Sequence, residues 1–297
     1  GKPIRRAPFE PSVSVLLAVH NGAAHLEEKL RSILALDYPP ARMQVLVISD
    51  GSTDDTAAIA KRFAFSTGGQ VTLIELPHGG KAAALNAGMA CATGEILVLT
   101  DVRQTLAPNS LRLLLENFAD PTVGAASGEL VILQGPTREE ANVGLYWRYE
   151  LWIRLRLSAI DSIFGATGAY YAIRRSLASP MPEDTLLDDM HLPLAAFFKG
   201  YRLIVDPRAR MFDSPTGLRS EFRRKVRTLA GNYQILRAYP QLLGRRNRMW
   251  FDFVSYKFAR LLLPFALLVL AGFTPFLPEP WRGAAILAQL AFYAAAL

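Results

Sequence analysis

The chain has 297 residues, 51% of them hydrophobic and 20% charged, with a formal net charge of +7. That length suits about two domains, or one α/β domain with an appendage, and that balance excludes intrinsic disorder. A single cysteine, Cys91, excludes an internal disulfide framework and a Cys-cluster zinc site, and is expected to be a small buried hydrophobe.

Residues 1–11 are basic and Pro-rich, read as a linker rather than a signal peptide. Val13–Val19 is a buried strand ended by Asn21-Gly22, and residues 24–34 have helical spacing. Gln44–Ser49 is a second strand, closed by Asp50-Gly51, and Ser52-Thr-Asp54 caps a helix running to about Phe65. Val71–Leu76 is a third strand, residues 81–92 a helix, and Glu95–Thr100 a fourth strand. Strands alternating with helices predict right-handed crossovers and a parallel sheet, and ligands of such sheets sit at the carboxyl ends of the strands. His20, Asn21, Asp50 and Asp101 all fall at those ends.

Five segments carry candidate chemistry. His78-Gly-Gly-Lys81 opens a helix, where backbone N–H groups and a lysine suit a phosphate or a uracil carbonyl. Asp50 and Asp101, at strand ends, suit a ribose, a base N–H or a divalent cation, although capped turns have the same look. Leu187-Asp188-Asp189-Met190 starts a helix to about Lys199, and neighbouring helical side chains point ~100° apart, so at most one of the two Asp residues faces a given ligand. Pro193 lacks an N–H and leaves the Asp189 carbonyl without its helical partner. Arg224 and Arg227 share a helix face within Arg223–Arg227, a fit for a diphosphate or for lipid headgroups. No Walker A loop, G-x-G-x-x-G, H-E-x-x-H or G-x-S-x-G is present, which counts against the chemistries those motifs serve.

Residues 142–160 interleave Tyr146, Trp147, Tyr149 and Trp152 with Arg148, Arg154 and Arg156, the pattern of an amphipathic helix at a membrane interface or of a core helix with snorkelling arginines. The basic excess lies between Arg202 and Arg260, ahead of the most apolar stretch, which favours a membrane surface or a phosphate ligand over a nucleic-acid groove. Residues 236–257 read as a basic interfacial segment and 258–297 as a transmembrane hairpin broken at Leu277-Pro-Glu-Pro-Trp-Arg282. Arg245, Arg246, Arg248, Lys257 and Arg260 place the preceding domain in the cytoplasm by the positive-inside rule. The chain stops inside an apolar run, so a longer membrane protein is expected.

Taken in order, Val13–Asn21, Asp50-Gly-Ser-Thr-Asp54, Gly80-Lys81-Ala…Leu85-Asn86-Ala-Gly88, Asp101, Gly165-Ala-Thr-Gly168, Leu187-Asp-Asp189…Gly200-Tyr-Arg202 and Arg224-x-x-Arg227 resemble a membrane-anchored family-2 inverting glycosyltransferase, related to cellulose and hyaluronan synthases. The resemblance covers residues 12–235 and implies a GT-A fold: an α/β domain with a mostly parallel sheet flanked by helices, followed by interfacial and transmembrane helices. It implies transfer of a sugar from a nucleotide donor, expected to be a UDP-sugar, to a hydroxyl of a saccharide or lipid-linked acceptor in exopolysaccharide or envelope glycan synthesis. It places Ala18, His20, Asn21 and Asp50 around the uridine, Lys81 on the nucleotide, and Asp101 on ribose and metal-bound diphosphate. It makes Asp189 the general base, puts Asp188, Gly165 and Gly168 on the acceptor side, and sets Arg224 and Arg227 on the diphosphate. Mg²⁺ or Mn²⁺ is the implied cofactor, held by Asp101, with Arg103 standing where the family has the second Asp of D-x-D, and Thr228 where it has a Trp. The implied location is the inner (plasma) membrane, with no nucleic-acid partner. A non-catalytic nucleotide- or lipid-binding subunit of a membrane synthase is the alternative.

Overall fold

The computed structural model describes residues 2–132, 138–214 and 218–295, with side chains for all of these except 138–147, 218–221 and 295. Residues 1–239 and 240–297 form two compact units.

In the first unit, the strands read from the sequence are present: β1 (Val13–Val19), β2 (Met43–Asp50), β3 (Val71–Leu76) and β4 (Ile96–Thr100). They pair in parallel in the order β3-β2-β1-β4. The sheet then continues with strands the hydrophobic pattern did not mark: β5 (Thr105–Leu106), β6 (Val123–Ile132), β7 (Tyr170–Arg174) and β8 (Arg202–Asp213). β7 runs antiparallel between β4 and β6, so the eight-stranded sheet is mixed, in the order β3-β2-β1-β4-β7-β6-β8-β5. That insertion sets the Tyr170 end of β7 beside Thr100, and so brings the segment preceding β7 to the carboxyl edge of β4.

Helices cover both faces, which is why β1 is apolar at nearly every position. On one face Val13, Val15, Leu17 and Val19 join Leu26, Leu30 and Ile33 of α1 (Ala23–Leu34), Ile59 of α2 (Thr56–Ser66) and Leu111 and Leu114 of α4 (Ser110–Leu115) in one core. On the other, Leu16 and Ile48 meet α3 (Lys81–Cys91) at Gly88. Each such buried Val or Leu contributes about 1.5–3 kcal/mol of transfer free energy. Cys91, expected inside, ends α3 and is exposed: the helix turns its Ala82, Ala84, Leu85 and Gly88 inward, and position 91 falls on the solvent side. Three further helices follow: α5 (Arg138–Ile160), α6 (Asp188–Phe198) and α7 (Leu218–Ala238). Tyr146 and Trp147 of the aromatic pattern lie outside the described side chains; Tyr149 and Trp152 are exposed.

The second unit is helical. A single 27-residue helix, Trp250–Phe276, is long and apolar enough to cross a membrane. It is built from α8 (Trp250–Phe253), a π-helical turn (Val254–Phe258), α9 (Ala259–Phe273) and a closing 3₁₀ turn. Leu262, Phe265, Leu268 and Val269 are exposed along it. Among the described residues no second helix reaches that length; the apolar α10 (Trp281–Ala295) has 15 residues.

Candidate active site

The site begins where β1 and β2 end. Val19 pairs with Ser49, so His20 and Asn21 emerge beside Asp50. Asn21 adopts a positive φ of 50°, which Asn tolerates, and its Oδ1 accepts the Thr53 N–H at 2.8 Å. The Asp54 carboxylate accepts the Ala23 N–H at 3.0 Å and the N–H of Thr56, the first residue of α2, at 3.1 Å. The two loops are thus laced into one frame. Gly51 completes it with φ +61°, where a Cβ would also lie 2.6 Å from the His78 nitrogen.

Asp50 is buried, and its carboxylate faces the turn that starts α3. It accepts the Gly79 N–H at 2.7 Å and the Gly80 N–H at 3.0 Å, and lies 3.0 Å from His78 Nδ1. The Asp50 carbonyl lies 2.7 Å from His20 Nδ1, and the two imidazoles stand 4.4 Å apart, centroid to centroid. The sequence assigns Asp50 to a ligand; in the structure its oxygens hold the His78–Gly80 turn and thereby aim Lys81.

Lys81 is the centre of the site. Its Nζ lies 2.9 Å from Asp101 Oδ1 and 3.0 Å from Asp188 Oδ1. Desolvation in the cleft works against the ammonium, but attraction by Asp101, Asp188 and Asp189 outweighs it and holds the Lys81 pKa well above its ordinary value. Asp188, grouped by the sequence with the acceptor segment, therefore stands with Asp101. It also accepts from the Tyr171 hydroxyl at 3.3 Å. Burial, and then the Asp188 and Asp189 charges, push that phenol far up, so it stays protonated and donates.

Asp189, offset by ~100° around the helix, still adds its charge to the field at Lys81 but meets a different neighbour. Its Oδ2 would be 2.9 Å from a Cβ added at Gly168, so the Gly165–Gly168 loop lies directly against its carboxylate. The carbonyl that Pro193 leaves unpaired accepts the Ala166 N–H at 2.7 Å. The proline and the glycines are one device: the first frees an acceptor, and the second let the loop come close enough to use it. Arg154 of α5, read from sequence as a snorkelling or interfacial residue, holds the same loop: it donates to Thr167 Oγ1 at 2.7 Å and to the Gly165 carbonyl at 3.3 Å.

Arg103 lies 2.6 Å from Asp213 Oδ2, an oxygen that also accepts from Gln104 Nε2 at 2.8 Å. Its charge is spent on a buried carboxylate at the end of β8. Arg224 is half-buried and Arg227 exposed on α7. That helix is tied to the entrance of α6 by Gln234, which donates to the Asp184 carbonyl at 2.8 Å and accepts the Leu186 N–H at 2.9 Å. Gln234, Tyr171, Asp213 and the buried Lys29 are site-shaping residues that no motif marked. Only Asn86 had a signal, since it lies in the Leu85-Asn86-Ala-Gly88 stretch. It exchanges two hydrogen bonds with the Met181 backbone, at 2.8 and 2.9 Å.

Chemically, the edge offers a lysine, two carboxylates and amide-lined turns on one side of α6, and a carboxylate against a loop on the other. Residues 14–179, more than half the chain, match the model of the family described as "Glycosyl transferase family 2". The probable glycosyltransferase YdaM of Bacillus subtilis is 25% identical over 87% of this chain and 64% of its own length. A poly-beta-1,6-N-acetyl-D-glucosamine synthase of Staphylococcus aureus is 24% identical over 75% of this chain and 55% of its own. The chain thus spans between half and two thirds of these two relatives. Among solved structures, the mannosyltransferase PcManGT from Pyrobaculum calidifontis, in complex with GDP-Man and Mn²⁺, superposes with a TM-score of 0.72 at 28% identity, covering 99% of this chain and 84% of that one.

Proposed function

The chain belongs to glycosyl transferase family 2, and from that membership we propose that it moves a sugar, with inversion, from a nucleotide-sugar donor to a hydroxyl of a saccharide or lipid-linked acceptor. The observation that carries this reading is the division at the start of α6: Asp188 turns to Lys81 and Asp101, while Asp189 turns to the Gly165–Gly168 loop.

In this mechanism the acceptor hydroxyl attacks the anomeric carbon from the face opposite the diphosphate. A bond forms from the acceptor oxygen to that carbon as the bond to the diphosphate oxygen breaks. Asp189 takes the hydroxyl proton. Lys81, Arg224 and Arg227 offset the charge that develops on the departing diphosphate. One displacement needs one base and no covalent nucleophile, so configuration inverts; the carboxylate pair of a hydrolase has no counterpart in this scheme.

The charge set suits a divalent cation. Asp101 and Asp188 pair with one lysine and Asp189 adds its charge from the loop side, a surplus of negative charge made entirely of hard oxygen donors. Asp101 would hold Mg²⁺ or Mn²⁺, which supplies positive charge against the diphosphate when bound. Arg103 adds none of its own, being paired with Asp213. Ala18, His20, Asn21 and Asp50 frame the nucleobase in this reading. The relative that makes a poly-N-acetylglucosamine and the neighbour that holds GDP-Man support polysaccharide or glycan synthesis and a nucleotide sugar, with UDP as the proposed carrier and GDP as its competitor. The Trp250–Phe276 helix and the basic residues before it support anchoring in the plasma membrane with the catalytic unit cytoplasmic.

A screen of UDP- and GDP-sugars for nucleotide release, with the protein in membranes or detergent, tests the proposal. Release from one of them that depends on a saccharide or lipid-linked acceptor is expected. Tight binding of a nucleotide with no release from any sugar would favour the non-catalytic alternative.

A further inference from the structure

Lys29 sits in the middle of α1, on the face that Leu26, Leu30 and Ile33 bury, and is 1% exposed. An apolar side chain fits such a place without cost, whereas an ammonium loses its hydration there. Burial draws its pKa from 10.5 down to about 7, against the pull of Asp101. What the charge gains in return lies at the carboxyl edge of β4. Nζ donates to Thr100 Oγ1 at 2.7 Å and to the Gln104 carbonyl at 2.7 Å. Those two residues bracket Asp101, Val102 and Arg103. Thr100 Oγ1 passes the connection on, donating to the Ala169 carbonyl at 2.8 Å, next to Gly168. One buried amine therefore ties both ends of the Asp101 turn, and through Thr100 the loop that lies against Asp189.

We propose that Lys29 is a positioning residue for the donor: from beneath the sheet edge it fixes the Asp101–Gln104 turn, so that the Asp101 carboxylate stands where the nucleotide diphosphate needs it. This rests on the reading of Asp101 as a donor ligand. Lys29 touches no substrate in this account. It acts through the backbone of Gln104 and the hydroxyl of Thr100. A packing residue at the same place has no need of two hydrogen bonds at its tip.

The test is calorimetric titration of the whole chain with UDP and with GDP, each with Mn²⁺, for wild type, Lys29→Met and Lys29→Gln, alongside melting temperatures at pH 6. Lys29→Met should fold and melt at or above the wild-type temperature, yet bind the preferred nucleotide about tenfold or more weakly, the effect expected from losing charge-assisted bonds that order the turn. Lys29→Gln, whose amide still donates, should recover part of that affinity. Wild-type affinity in a stably folded Lys29→Met chain would overturn the proposal and leave Lys29 as filling. A Lys29→Met chain that does not fold also overturns it, since a residue kept for positioning is dispensable to the fold. If the wild-type chain binds neither nucleotide, the donor reading itself fails, and the proposal with it.

Discussion

At Asp189 one loop meets both groups: the carbonyl accepts from Ala166, and the carboxylate lies against the bare face of Gly168. Gly168→Ala would set a methyl group 2.9 Å from Oδ2 and must displace one or the other. Transfer should fall at least tenfold, on the order of 1.4 kcal/mol in the barrier, while nucleotide affinity stays near wild type. Progress curves and titrations on the same preparation check this. Lys29 gives a stability prediction of definite sign. Its folded pKa of about 7 lies below the unfolded value of 10.5, so between these limits the unfolded chain holds the proton that the folded chain has released. Stability should therefore rise with pH across that window, and the cost of the buried charge, roughly 5 kcal/mol at most, is largest below pH 7. Lys29→Met should stabilise the fold most at pH 6 and progressively less toward pH 9, as chemical denaturation at each pH would show.

At the scale of elements, α6 and α7 form a working pair. Gln234 fixes the backbone at Asp184 and Leu186, just ahead of the two aspartates, from the same helix that carries Arg224 and Arg227. Arg224→Ala and Arg227→Ala should each weaken UDP or GDP binding by ~1.5–3 kcal/mol and leave the nucleoside unaffected, because the lost contact is charge-assisted and made to phosphate. Equal losses for diphosphate and nucleoside would move these residues to a lipid-headgroup face, which the exposed Phe222, Val226, Leu229 and Tyr233 on the same helix would then complete. The parallel strands were legible because each is a short buried run ended by a turn signal. β6 was not, since Gly124, Ala125, Ala126, Ser127 and Gly128 lack the branched and aromatic residues that mark strands. β8 carries Asp206, Arg208 and Arg210, which read as a polar loop until Asn117 and Glu116 are found beside them. Asp188 and Asp189 were separable from sequence by helical geometry alone; which of them faced Lys81 was not, because α3 and α6 are about a hundred residues apart in the chain. Lys29 and Arg154 were invisible for a related reason: a lysine or arginine on an amphipathic helix reads as solvated until a tertiary partner is known.

For the molecule as a whole, the sheet edge pairs two carboxylates with one lysine within reach of a third carboxylate's charge, and the helical unit adds one span of membrane length. Chelation should strongly reduce transfer and millimolar Mg²⁺ or Mn²⁺ restore it, with Asp101→Asn raising the metal requirement; full activity after exhaustive chelation would leave the charge to Lys81 and the arginines alone. The central claim is the division of labour between adjacent aspartates. It is tested most directly by measuring sugar transfer and nucleotide binding side by side for Asp189→Asn and Asp188→Asn. The account predicts that Asp189→Asn abolishes transfer with nucleotide affinity intact, since an amide of the same size cannot take the hydroxyl proton, and that Asp188→Asn is milder in transfer but disturbs nucleotide binding through Lys81. Substantial transfer by Asp189→Asn, with Asp188→Asn inactive, would contradict it.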